Sequence, residues 1–269
     1  MRNFFLFSFV IVLLTLTSCG EYNKVLKSND IEYKYTKALE YYNEDKCYQA
    51  LPIFEELIGM VRGTMRAEDV YYYYAQSHYC TGDYYLANYY FKNFVKTFAK
   101  SSHTEECLFL AAMCSYKLSP NYSLDQMDTR TAINEFQLFI DRYPYSELKD
   151  SCNTMVGQLR YKLEKKSYEV AKLYVKTEKY KSAIISLNIS LKDFPDTEYR
   201  EDIHFLLVKS SFLYAQGSIA SKKTDRFNDT IDRYYTFVAH FPESALLGEA
   251  ERYFVQSQKY LEEQNSENL

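Results

Sequence analysis

Six cysteines and four histidines are the side chains here best able to bind metal or act as nucleophiles, and their spacing limits what they can do. His78, His103, His204 and His240 are isolated, with no HExxH and no Cys/His cluster, so no metal centre is expected. No GxSxG, GxGxxG or Walker loop occurs, and seven glycines leave little material for a phosphate cradle of backbone amides. Apart from Cys19, the cysteines are Cys47, Cys80, Cys107, Cys114 and Cys152, an odd number without a CxxC. On one helix Cys107 and Cys114 would stand about 10 Å apart along the axis, beyond the ~7 Å that a disulfide spans. These five cysteines read as small buried hydrophobes. The chain is expected not to be an enzyme and to need no cofactor.

The side chains that do recur are aromatic. DVYYYYAQSHYCTGDYYLANYYF, residues 69–91, contains nine tyrosines, and the whole chain holds 29 Tyr and 18 Phe but no Trp. Local propensity would make Tyr71–Tyr74 a strand. With only seven Gly and five Pro in 269 residues, however, the composition favours helices throughout. Net charge is −4, and basic residues are scattered among acidic ones, so the cationic stripe that nucleic acid requires is missing.

Shifting the sequence against itself by 37 residues aligns Ala38, Ala75 and Ala112, Glu32, Asp69 and Glu106, Tyr35, Tyr72 and Phe109, and Tyr42, Tyr79 and Tyr116. Ala50 and Ala87, Phe54 and Phe91, and Tyr48 and Tyr85 match over one period. Within a unit, Tyr35, Ala38, Leu39 and Tyr42 share one helical face, a break follows at 43–46, and Ala50, Phe54 and Leu57 share the next face. Each unit is therefore a helix hairpin, and Tyr71–Tyr74 lie in a first helix. The second-helix small residue recurs at Ala50, Ala87, Ala132, Ala183 and Thr230, with spacings that widen after the second unit. The extra residues are expected as a loop over 117–127, an added or extended helix within 147–180, and a polar loop over 217–226. Units end at Tyr143-Pro144, Phe194-Pro195 and Phe241-Pro242. These features resemble the tetratricopeptide (TPR) repeat, in which small residues let paired helices approach and an aromatic fills the space beside the next hairpin. The expected fold is all-α, a TPR-like right-handed solenoid of about five helix hairpins behind a lipoprotein signal peptide.

The N-terminus differs in kind. Arg2 precedes an apolar run from Phe4 to Leu16, too short to span a bilayer, and Leu16-Thr17-Ser18-Cys19 follows. This resembles the lipobox of bacterial lipoproteins, which implies cleavage after residue 18 and acyl chains such as palmitate on Cys19. Gly20 in place of an aspartate implies the outer membrane. Residues 19–30 are expected to be a lipidated tether, with units over 31–118 and 119–262 and a frayed polar tail over 263–269.

Three segments, 125–152, 180–203 and 229–251, repeat an alanine or threonine, a large residue four further on, and an aromatic-Pro ending. With the lipobox, length and unit number they resemble the BamD family of outer-membrane lipoproteins. The resemblance implies a periplasm-facing scaffold of the β-barrel assembly (BAM) complex. Its C-terminal half would bind POTRA domains of a BamA-like insertase, and its N-terminal half would receive unfolded outer-membrane proteins. In the TPR register the groove residues are Tyr35, Leu39, Tyr42, Tyr72, Gln76, Tyr79, Phe109, Met113 and Tyr116. Phe237, Phe241, Leu246 and Tyr253 near the open end are the candidates for insertase contact. The acids at the helix starts read as charge favourable to the helix dipole. Competing readings are a TPR lipoprotein regulating peptidoglycan synthesis and, against the lack of tryptophan, a SusD-like glycan binder.

Overall fold

A computed structural model describes residues 20–267, and among these every regular element is an α-helix. The lipobox, including Cys19, lies outside the described residues. Helix α1 covers 20–27, followed by α2 (Ile31–Asn43), α3 (Cys47–Met60), α4 (Ala67–Cys80), α5 (Tyr84–Thr97), α6 (Thr104–Leu118) and α7 (Met127–Arg142). Then come α8 (Lys149–Lys176), α9 (Tyr180–Asp193), α10 (Arg200–Gln216), α11 (Ala220–His240) and α12 (Leu247–Glu267). The helices from α2 to α11 alternate as five hairpins, with α1 and α12 as additional helices at the ends. None of the described helices is long and apolar enough to cross a membrane.

The chain forms two compact units, one of the residues to Pro120 with Asp125–Leu159, the other of Asn121–Leu124 with the residues from Arg160. The first holds α1 to α7 and the start of α8. Helix α7, expected in the C-terminal half, packs here because Phe136 and Phe139 join the core that also contains Phe91 and Phe94. The second holds the rest of α8 and α9 to α12.

The hairpins follow from the repeat. Ala50, Ala87, Ala132 and Ala183 are fully buried, and so are Phe54, Phe91, Phe136 and Leu187 four residues later. A methyl at the crossing allows close approach, and the large side chain fills what remains, each buried ring contributing about 2–3 kcal/mol. Four second helices stop on an aromatic: Phe98, Tyr143, Phe194 and Phe241 cap α5, α7, α9 and α11 and leave the helical region, with ψ between 52 and 72°. In three of them a proline follows and disfavours continued helix at the residue before it. Three of the five turns inside hairpins, those of α2–α3, α4–α5 and α8–α9, share a left-handed residue, Asp45, Gly82 or Glu178, at φ of 58, 80 and 58°. In each, the next N–H reaches back five residues: Lys46 to the Tyr41 carbonyl, Asp83 to His78 and Lys179 to Tyr174. This is the Schellman closure of a helix end.

Four expectations are corrected. The segment expected as a tether is helical from residue 20 to 27, with Val25 fully buried in the first core and the Tyr22 hydroxyl donating to the Gln49 carbonyl at 3.3 Å. The polar loop expected over 217–226 is only three residues, because α11 starts at Ala220 and leaves its Ser/Lys turns in solvent. The tail is helical to Glu267. Cys47 and Cys80 form a disulfide, with Cα atoms 6.1 Å apart, joining the start of α3 to the end of α4. Cys107, Cys114 and Cys152 are free and buried, as expected of small hydrophobes. Burial pushes the Cys114 and Cys152 thiols up to about 12 and about 11.

Candidate functional site

Helix α4, the tyrosine helix, explains both the aromatic load and the limits of the groove. None of its residues from Ala67 to Tyr79 is exposed. A helix covered on every side must be apolar all round. Tyrosine meets that demand while its hydroxyl finds a partner at the edge of the packing. Tyr72 shows how: its ring stacks on His103 at 4.0 Å and meets Phe94 edge-on at 6.0 Å, and its hydroxyl donates to Glu106 Oε2 at 2.9 Å. Gln76 donates to the Tyr72 hydroxyl at 2.9 Å and to Glu106 Oε1 at 3.3 Å. Arg66, just before α4, lies 4.4 Å over the ring of Tyr35 in α2 and bridges Glu32 Oε2 at 2.8 Å and Asp69 Oδ2 at 3.0 Å.

Tyr35, Tyr72 and Gln76 are each only 8% exposed. They are not groove lining; they sit between successive hairpins, where first helices contact each other through these side chains. Burial pushes the Tyr35 hydroxyl up to about 12, with Asp69 and Tyr73 adding to it against Arg66. Burial, then the bond to Glu106, pushes Tyr72 up as well. Both remain neutral throughout the physiological range.

The other six positions are half-buried: Leu39, Tyr42, Tyr79, Phe109, Met113 and Tyr116. Each touches the core with part of its surface. Tyr42 meets Tyr73 at 5.4 Å, Tyr79 meets Tyr84 at 5.5 Å, Phe109 meets Phe139 at 5.7 Å, and the Tyr116 hydroxyl donates to Gln158 at 2.6 Å. Together they form a row of aromatic and aliphatic edges on the first helices α2, α4 and α6 of the first unit.

The C-terminal candidates also belong to packing. Phe237 is fully buried, with Phe205 at 6.2 Å and Phe241 at 5.8 Å, so it cannot touch a partner directly. Phe241, Leu246 and Tyr253 are half-buried around that core, where α12 meets α10 and α11. The Tyr253 hydroxyl donates to Glu249 at 2.9 Å, and Lys209 donates to the same oxygen at 3.2 Å. The apolar surface on these last helices lies instead at Tyr235 and Val255, 56% and 52% exposed, which the sequence reading missed.

Also missed were the ties between hairpins. Tyr72 reaches Glu106, Tyr168 reaches Asp202 at 3.1 Å, and Arg66 reaches Glu32, each 34 residues apart. The helix-start acids thus accept cross-repeat hydrogen bonds besides facing the dipole. The constant 34-residue offset from tyrosine to acid was the available signal. A second missed feature is Glu135, which accepts from Ser115 Oγ at 2.7 Å, from Asn88 Nδ2 at 3.1 Å and from Lys92 Nζ, tying α5, α6 and α7.

A sequence-family model of YfiO, described as an outer membrane lipoprotein, matches residues 28–226. The chain belongs to the YfiO family. That span takes in α2 to α10 and the polar first turns of α11, and it supports a BamD-like lipoprotein. No curated protein matches the chain. Among solved structures it is similar to the TPR domain of P58(IPK), at 14% identity and a TM-score of 0.42, covering 88% of this chain and 69% of that one. It is also similar to the TPR2AB domain of yeast Sti1 in complex with pHSP90, at 11% identity and a TM-score of 0.38, covering 85% and 98%.

Proposed function

We propose that this YfiO-family chain is a BamD-type scaffold of β-barrel assembly. Acyl chains on Cys19 anchor it to the outer membrane, two or more being needed for stable attachment, and the two units face the periplasm. The first unit receives unfolded outer-membrane proteins along the half-buried row Leu39, Tyr42, Tyr79, Phe109, Met113 and Tyr116. The second engages the POTRA domains of a BamA-like insertase through its last helices, with Phe241, Leu246 and Tyr253 behind the exposed Tyr235 and Val255. The protein is not an enzyme and uses no cofactor beyond the covalent lipid.

The observation that carries this reading is the YfiO match over residues 28–226 of a chain built from helix hairpins. The row adds chemical sense. Unfolded barrel strands alternate apolar residues, and ring edges with neutral hydroxyls offer such strands apolar area with little rotamer entropy to lose. A photo-crosslinking residue placed at Tyr79 or Tyr116 is expected to capture several outer-membrane barrel precursors in cells, whereas one at buried Phe91 captures none. Absence of precursors at both row positions would contradict the assignment.

A further inference from the structure

A group of large apolar side chains stands in solvent at one end of the hairpins of the first unit. Tyr48, Tyr85, Tyr89 and Met127 are 77%, 65%, 57% and 74% exposed, and Leu86 is exposed beside them. All lie in the first two turns of the second helices α3, α5 and α7. Two hydrogen bonds set these helix starts side by side. The Tyr48 hydroxyl donates at 3.3 Å to the Thr81 carbonyl in the turn before α5, and the Tyr85 hydroxyl donates at 3.2 Å to Asp128 Oδ2 at the start of α7. The hydroxyls are thereby satisfied while the rings stay in water, and a clustered apolar surface of this kind marks a contact.

The proposed lipid anchor arrives at the same end. Cys19 directly precedes Gly20, the first residue of α1, so their Cα atoms are about 3.8 Å apart. Helix α1 is itself fixed to the first hairpin. Tyr22 meets Tyr41 edge-on at 5.7 Å and donates to the carbonyl of Gln49, the neighbour of Tyr48, while Glu21 pairs with Lys37 at 3.5 Å. Acyl chains on Cys19 therefore hold the start of α3 against the bilayer with no free linker between. The headgroup layer is roughly 5–8 Å deep on each side of the hydrocarbon. Tyrosine, apolar in its body and polar at its tip, is enriched in that layer.

Charge selects the lipid. The turns inside these hairpins and the helix starts after them carry Glu44, Asp45, Asp83, Asp125 and Asp128 against Lys46 and Arg130, and Lys46 is paired with Glu44 at 2.6 Å. An excess of carboxylate repels anionic headgroups, whereas a primary ammonium donates to carboxylates and is attracted to the face of a tyrosine ring. We propose that this edge of the first unit rests in the headgroup layer of a membrane rich in zwitterionic, ammonium-headed phospholipid, with Tyr48, Tyr85 and Tyr89 as its interfacial side chains. The inference rests on the lipoprotein reading of Cys19 and adds which edge of the protein meets the bilayer.

The chain contains no tryptophan, so single substitutions to tryptophan each report one position. The lipidated full chain carrying Y89W, Y48W or M65W is reconstituted into vesicles of phosphatidylethanolamine and phosphatidylcholine, with and without bromine on the upper acyl carbons. Met65 is an exposed reference in the connection after α3, about 20 Å from the edge by the length of that helix. Brominated lipid is expected to lower the emission of Y89W and Y48W about twofold and to leave M65W unchanged. Replacing phosphatidylethanolamine by phosphatidylglycerol is expected to reduce that quenching. Equal quenching of M65W and Y89W, or none of Y48W and Y89W, overturns the proposal, and stronger quenching with phosphatidylglycerol overturns the lipid class. A blue shift of Y89W in isolated outer membranes but not in lipid vesicles assigns the edge to a protein partner and likewise overturns it. Vesicle flotation of C19A reads the anchor separately. If C19A floats as the parent does, the lipoprotein reading fails; if it stays in solution while Y48W and Y89W are unquenched, the anchor stands and the edge inference falls.

Discussion

Glu135 holds three donors from two other helices at one buried carboxylate, and removing it leaves the buried Ser115 hydroxyl without its acceptor and Lys92 without its counter-charge, while Asn88 keeps the Ala111 carbonyl. Glu135→Ala is expected to cost about 3 kcal/mol in urea unfolding; a loss below about 1 kcal/mol would mean that the network contributes little. His204 acts in the opposite sense. Its ring stacks on His240 at 5.1 Å, its Nε2 has no partner, and burial, then His240, Arg200 and Arg233, push it down to about 4. The folded protein therefore keeps His204 neutral where the unfolded chain, with an ordinary value near 6.5, takes up a proton. Stability from this group is complete above about pH 6.5 and declines as pH falls toward 4, by roughly 2–3 kcal/mol in all. His204→Leu should flatten that part of the pH profile relative to the parent. Identical slopes for the two proteins would remove His204 as the cause.

At the scale of elements, the Cys47–Cys80 bond fastens the second helix of one hairpin to the first helix of the next. Replacing both cysteines by serine is expected to lower stability by about 3 kcal/mol, in proportion to the loop the bond closes, and adding a reductant to the parent should reproduce that loss. A reductant that leaves the melting temperature unchanged would contradict the pairing. How much could be seen beforehand depended on how local the cause was. Alanine followed by phenylalanine four residues later, and an aromatic before proline, act within one hairpin, and both were legible as crossings and stops. The disulfide was not, because two helix ends meet only once hairpins stack. Helix α1 is too short to display a period, and the Ser/Lys start of α11 has no apolar face to show because water surrounds it. The groove was legible only in part. Where a helix such as α4 is covered on nearly every side, periodicity cannot tell the face toward the next hairpin from the face toward a ligand, and Tyr72 and Gln76 read as groove residues although they are buried.

For the whole molecule, membership of the YfiO family supports an outer-membrane lipoprotein, and the scaffold proposed above would be held there by its lipid. Cys19→Ala should therefore leave the outer-membrane fraction on density-gradient separation, whereas recovery there in parental amounts would remove the lipid as its anchor. The central claim is association with a barrel insertase. Affinity purification of a tagged copy from gently solubilised outer membranes, with the partners identified by mass spectrometry, tests it most directly. The prediction is stoichiometric recovery of a β-barrel protein bearing POTRA domains; recovery of only a cell-wall synthase or a glycan transporter would contradict it.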